Sequence, residues 1–215
     1  MLLVGLSTSG AGLAVAPKDA FCGQTITRDL HLDDDLRCPG NGLTVGADGV
    51  QIDLMGHSIT GPGPASRNAG ILIVGRTNVT ISHGTIAQFR TGIFILNSNG
   101  VVVKDLAVVD SGAGVLSSTS DGIRVLFSRD VVLKHNEISG SGDDGIELRR
   151  ATDVIVKGNV LEGNRAGVRF ADGLSSGITI QHNEIVENHC GVKGPTAGNV
   201  LTHNSFEGNG QDFCA

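Results

Sequence analysis

The chain has 215 residues, enough for one ordinary domain; 32 are glycine, and tryptophan and tyrosine are absent. With only seven phenylalanines, a core of this size must be filled by Val, Ile and Leu in thin, regular layers. The net charge of −6 excludes a general nucleic-acid binder, and no segment is apolar and long enough to predict a membrane span.

The chain opens with an apolar, small-residue run from Leu2 to Val15 that ends in Ala14-Val15-Ala16 before Pro17. This small-x-small pattern reads as a secretory signal over residues 1–16, without the usual basic start, since no Lys or Arg precedes Lys18. Residues 17–41 follow as an N-terminal cap segment bracketed by Cys22 and Cys38, while Cys190 and Cys214 bracket the last stretch. An even number of cysteines, paired at the two ends and with no CxxC, predicts disulfides and a secreted or periplasmic location.

From Gly42 to the C-terminus one pattern recurs. Glycine followed by Ile, Val or Leu begins units at Gly42, Gly70, Gly92, Gly122, Gly145, Gly167 and Gly191, spaced by 28, 22, 30, 23, 22 and 24 residues. A period in this range marks stacked units. Each unit holds three short β-type runs, for example GIRVL, DVVL and NEIS, and has no room for a helix. Alternation within each run sends Ile, Val and Leu inward and the residues between them outward. The expected fold is therefore all-β: a right-handed parallel β-helix of about seven coils over residues 42–215, three strands per coil. Asn136, Asn159 and Asn183 fall in one column, with Asn204 one residue off; Asn164 and Asn188 form a second, with Asn209 one residue off. Stacked amides of this kind are structural ladders.

These repeats resemble the right-handed parallel β-helix proteins of the pectin-lyase-like superfamily, and the segment Cys22–Gly61 resembles the opening module of its secreted bacterial members. The resemblance implies the fold strongly. It implies function only broadly, because the superfamily holds polysaccharide lyases, hydrolases, epimerases and adhesins. In such a solenoid Cys190 and Cys214 lie one coil apart, where stacked positions are about 4.8 Å from each other, so a disulfide there would staple the last coil to its neighbour.

Two units are over-long, at GPGPASRN from Gly61 and SGAGVLSSTS from Ser111, and both loops fall just before a unit's opening glycine. They are expected to wall one side of the first-strand face. On that face the outward residue two after each glycine reads Leu72, Phe94, Arg124, Glu147, Arg169 and Lys193, and the corner before the strand adds Asp121, Asp143, Asp144, Arg165 and His189. Arg149 lies two beyond Glu147. A cationic strip with embedded carboxylates suits an acidic, uronate-containing polysaccharide.

Two chemistries are available to this strip. Asp121, Asp143 and Asp144 could act as general acid and base on a glycosidic bond. Their TSDG and GDDG contexts resemble the carboxylate motifs of β-helix polygalacturonate hydrolases, although Ala166 stands where that family has a histidine and no RIK-like run follows. Alternatively, Arg124, Arg149, Arg169 and Lys193 could neutralise a uronate carboxylate for β-elimination or epimerisation, with Lys193, His189 or an arginine held in an unusual environment as base and Glu147 orienting the arginines. The rival is a non-catalytic surface or adhesive β-helix, in which the alternating charges of Arg124, Glu147 and Arg169 serve cross-strand pairing alone.

No cofactor is expected, with calcium a candidate at Asp33-Asp34-Asp35. His83, His135 and His182 share a turn column, with His203 one residue off and Asp105 and Gly158 interrupting; turn packing is the plain reading and a metal the sharper one. The outward apolar pair Leu72 and Phe94 needs cover, either from the two loops or from a second subunit.

Overall fold

The computed structural model describes residues 20–115 and 119–215. The leader assigned to residues 1–16 lies outside the described residues, as do 116–118 of the second long loop. The fold is the expected parallel β-helix. Its first sheet stacks nine parallel strands, Thr25–Ile26, Leu43–Val45, Ala69–Val74, Thr91–Leu96, Ile123–Leu126, Asp144–Arg149, Ala166–Phe170, Cys190–Lys193 and Gln211–Cys214. The second and third faces merge into one 14-stranded sheet because Thr80–Ala87 and Val102–Val109 each run through the bend between them.

Nine first-sheet strands enclose eight turns, one more than the glycine spacing gives. The extra turn comes from the cap segment, whose two-residue strands Thr25–Ile26, Leu30–His31 and Leu36–Arg37 pair in parallel with Thr44–Val45, Ile52–Asp53 and Ile59–Thr60. These runs are too short to read as strands from alternation alone.

The core is a set of columns. Ile71, Ile93, Ile123, Ile146, Val168 and Val192 stack from coil to coil under the first sheet, each essentially inaccessible. Each such side chain contributes roughly 1.5–3 kcal/mol by leaving water. The preceding glycine is required by close approach: a Cβ at Gly92 would lie 2.4 Å from Val108 Cγ1 and 2.6 Å from the Gly122 carbonyl oxygen. That contact explains why Gly-Ile recurs once per coil.

Both asparagine ladders form, and the structure brings Asn204 and Asn209 into them. Asn136 donates through Nδ2 to Asn159 Oδ1 at 3.0 Å, Asn159 to Asn183 at 2.9 Å and Asn183 to Asn204 at 2.9 Å. Asn164, Asn188 and Asn209 repeat the arrangement at 3.2 and 3.1 Å. Both disulfides also form, Cys22–Cys38 and Cys190–Cys214, with Cα separations of 5.3 and 6.2 Å. The second joins adjacent strands of the first sheet, since Cys190 and Lys193 pair with Gln211 and Cys214.

Candidate functional site on the first sheet

The register of the first sheet places the outward residues in one row: Leu72, Phe94, Arg124, Glu147, Arg169 and Lys193 are successive pairing partners. Arg149 pairs with Leu126 in a parallel row. The corner brings Asp121 beneath Asp144, whose backbone N–H donates to Asp121 Oδ1 at 3.0 Å. Carboxylate oxygens of Asp121, Asp143 and Asp144 lie within 4.8 Å of one another.

Arginines tie this cluster together. Arg124 donates through Nε to Glu147 Oε2 at 2.6 Å, and Arg149 Nη2 lies 3.1 Å from the other oxygen of Glu147. Arg169 Nη1 donates to Asp143 Oδ2 and Asp144 Oδ2, both at 3.3 Å, and Arg165 donates to Asp143 Oδ1 at 3.1 Å. Arg165, which the sequence placed at the corner without a role, is thus a full member. Asp121 Oδ2 lies 2.9 Å from Arg124 Nε, but the single Nε hydrogen is committed to Glu147, so this buried oxygen accepts no hydrogen bond.

Burial orders these charges in depth. The side chains of Asp121, Asp143, Asp144 and Glu147 are at most 3 % exposed, whereas Arg169, Arg149 and Arg165 are 25, 36 and 52 % exposed. The acids form the floor together with Arg124, whose side chain is only 10 % exposed, and the guanidinium groups of Arg149, Arg165 and Arg169 form the surface. Burial, reinforced by the charges of Asp144 and Glu147, pushes the Asp121 carboxyl up to about 9. Burial and then the adjacent Asp143 raise Asp144 to about 7, against the pull of Arg169. Asp121 therefore keeps its proton at neutral pH, and Asp144 is poised to exchange one.

The two long loops border a cleft, but one coil earlier than Asp121. A cavity of about 500 Å³ opens over Leu72 and Phe94, with Arg67 and Asn68 of the first loop, Thr119 of the second, and Arg124 at its edge. Consecutive residues pin both loops. Arg90 donates to the carbonyls of Pro64, Ala65 and Ser66, and Thr91 Oγ1 donates to the Thr119 carbonyl at 2.8 Å. The Arg124 guanidinium sits 5.6 Å from the Phe94 ring centroid, joining the cleft to the charged row. At the other end His189, Lys193 and Arg165 line a separate basin of about 260 Å³ beside the terminal disulfide. The sequence thus named His189 and Lys193 as part of a patch that the structure divides in two. It missed Arg67, Arg90 and Thr91, whose one visible signal was the over-long loop beside them.

With this geometry in hand, comparison with known proteins fixes the family. A family model described as periplasmic copper-binding protein (NosD) matches residues 37–214. The chain belongs to the NosD family. No curated protein matches it in sequence. Among solved structures, an alginate lyase from Paenibacillus sp. str. FPU-7 superposes with a TM-score of 0.67 at 12 % identity, covering 87 % of this chain and 77 % of the lyase. The A-module of the Azotobacter vinelandii mannuronan C-5 epimerase AlgE6 gives a TM-score of 0.56 at 17 % identity, covering 89 % of this chain and 56 % of that module. These likenesses show the parallel β-helix fold of this NosD-family chain.

The family description raises copper, which takes imidazole, thiolate or thioether donors. The Asp121, Asp143 and Asp144 cluster offers none of these, and Arg165 and Arg169 already occupy two of its three acids. All four cysteines are in disulfides, and Met55 is the one methionine among the described residues. Imidazole remains, and it is concentrated elsewhere, in a turn column. His83, Asp105, His135, Gly158, His182 and His203 all adopt left-handed φ of 53–65°, so His203 belongs to the column in full register. The column's imidazoles do not converge, however: among the described residues the one group of three His, Cys, Asp or Glu side chains with donor atoms within 4.8 Å of one another is Asp121, Asp143 and Asp144, so the residues present do not fit copper.

Proposed function

We propose that the first-sheet face binds an acidic polysaccharide in the periplasm or outside the cell. The observation that carries this reading is the depth order of charge: Arg149, Arg165 and Arg169 lie outermost while every carboxyl of the cluster is buried beneath them. A protein of net charge −6 thus shows a polymer a cationic strip that extends from Arg67 and Arg124 at the loop cleft to Lys193 and His189 at the far basin. Guanidinium groups recognise carboxylates in paired geometry, which suits a chain bearing one carboxylate per sugar. Leu72 and Phe94 offer an apolar floor to a ring face within the same track. The same fold carries an alginate lyase and a mannuronan C-5 epimerase, and the two disulfides suit an oxidising compartment.

In this reading Arg124, Arg149, Arg169, His189 and Lys193 hold substrate carboxylates and Glu147 orients Arg124 and Arg149. Asp121, Asp143 and Asp144 are the acid and base groups. Asp144, raised to about 7, is suited to either direction of proton transfer near neutrality. It is only 1 % exposed, so turnover demands that Arg169 swing away from it. Binding without turnover is the second reading, and that burial favours it. Incubation with polyuronates and neutral glycans separates the readings. An unsaturated product signals elimination and new reducing ends signal hydrolysis, and either must vanish in Asp144→Asn. Binding of polyuronates with neither product leaves an adhesive β-helix. No binding of any polyuronate rejects the proposal.

A further inference from the structure

We propose that binding of a polyuronate to the first-sheet face is coupled to uptake of a proton by Asp144, because the polymer's carboxylate takes over Arg169, the cation on which Asp144 depends. The inference rests on the polysaccharide reading and deepens it: the proton becomes a second ligand of the same site and sets the part that Asp144 plays.

The case begins with how Asp144 is balanced. Arg169 Nη1 donates to Asp144 Oδ2 and to Asp143 Oδ2, at 3.3 Å each, so one terminal nitrogen serves two acids. Among the described residues Arg169 is the one cation paired with Asp144. The other guanidinium groups of the cluster are engaged elsewhere: Arg124 with Asp121 and Glu147, Arg149 with Glu147, and Arg165 with Asp143. Asp121, on the preceding coil, meets the Asp144 backbone N–H and keeps its own proton at neutral pH, so it brings no compensating charge. Without Arg169, burial and the charges of Asp143 and Glu147 all favour the neutral carboxyl at Asp144.

Exposure makes Arg169 the group that a polymer meets. Its side chain is 25 % exposed, and Asp143 and Asp144 beneath it are 3 % and 1 % exposed. A ligand carboxylate that pairs with Arg169 either draws it off Asp144 or sets a further negative charge beside that acid. Both raise Asp144 from its starting value of about 7. At about pH 7 the free protein holds about half a proton on Asp144 and the complex nearly a whole one, so binding takes up about half a proton. At about pH 5.5 Asp144 is already protonated in the free protein, and the uptake disappears. The polymer's own carboxylates are ordinary acids of about 4 and stay ionised throughout this range. Linkage then gives the sign for affinity: it falls as pH rises through about 7, by at most about tenfold per pH unit. In the complex Asp144 holds a proton to donate, which makes it the acid of the cluster.

The test is calorimetric titration of polymannuronate, and in parallel polygalacturonate, into the disulfide-intact protein in two buffers of unlike ionisation heat, PIPES and imidazole, at equal ionic strength. At about pH 7 the two heats should differ by the ionisation of about half a proton, and at about pH 5.5 they should agree. Asp144→Asn fixes the neutral form, so it should give equal heats in both buffers and bind more tightly than the wild type at about pH 8. Arg169→Gln is a second route to the same readout: it should bind more weakly and also give equal heats, since Asp144 is then protonated before the polymer arrives. Histidine is the other side-chain type that gains a proton near neutrality, and His189 lines the far basin of this face. His189→Gln should weaken binding yet keep the difference between buffers. Equal heats for the wild type at about pH 7, a difference that survives in Asp144→Asn, or one lost in His189→Gln overturns the proton coupling and leaves the polysaccharide reading standing. No binding of either polymer rejects that reading and the coupling with it.

Discussion

The two halves of the first-sheet face share one backbone and differ in nearly everything else. In the earlier coils the outward row is Leu72 and Phe94, with an open cleft above them and loops held by Arg90 and Thr91. In the later coils the same row is Arg124, Glu147 and Arg169, and charged side chains fill the space that the cleft occupies one coil before. The parallel ladder sets only the direction of each Cβ. What the face does is decided by which side chains can satisfy one another across about 4.8 Å of coil spacing.

The two halves should therefore respond differently to truncation. Glu147→Ala leaves Arg124, a buried cation, without its hydrogen-bonded partner, and should cost about 3–5 kcal/mol in urea denaturation. Leu72→Ala, at the half-buried floor of the cleft, should cost about 1 kcal/mol. Equal losses at the two sites would mean that the charges are solvated and unimportant to the fold.

Stability should also depend on pH through the later half alone. Asp144 titrates at about 7 and Asp121 at about 9 in the folded chain, against about 3.9 for an unfolded aspartate. A raised carboxyl favours folding fully below the unfolded value, and that advantage is lost as pH climbs to the folded one. The denaturation midpoint should thus fall from about pH 5 towards about pH 9, with the share of Asp144 gone by about 7 and that of Asp121 by about 9. Asp144→Asn should flatten the lower part of the slope and Asp121→Asn the whole of it most strongly. A slope unchanged in both variants would place the titrating groups elsewhere.

The smallest effect belongs to the cleft. Arg90→Ala removes the donors that hold three loop carbonyls, at little cost to the core beneath. The unfolding free energy should fall by about 1 kcal/mol or less. Residues 61–68 should become open to limited proteolysis while the later coils stay protected.

Much of this molecule was legible in the sequence. The recurring Gly-Ile pair gave the coil, because a Cβ has no room at that corner, and alternation gave the outward row in its true register. The asparagine ladders and the terminal staple followed from the same period. What the period could not give were distances that depend on long side chains and turns of unequal length. It named Asp121, Asp143 and Asp144 as a group without revealing that Arg169 and Arg165 lie over them. It put His203 one residue off because the last coil is shorter than its predecessors. It also missed the first turn, since Thr25–Ile26 and its companions are two-residue strands that show their nature only when paired.

The most direct measurement is calorimetric titration of a polyuronate into the wild type and into Arg169→Gln near neutral pH, with a neutral glycan as control. The cationic face should bind the polyuronate, bind it roughly tenfold more weakly without Arg169, the loss of one charge-assisted contact, and ignore the neutral polymer. Equal affinity for charged and neutral polymers, or full affinity in Arg169→Gln, would contradict a face built to recognise carboxylates.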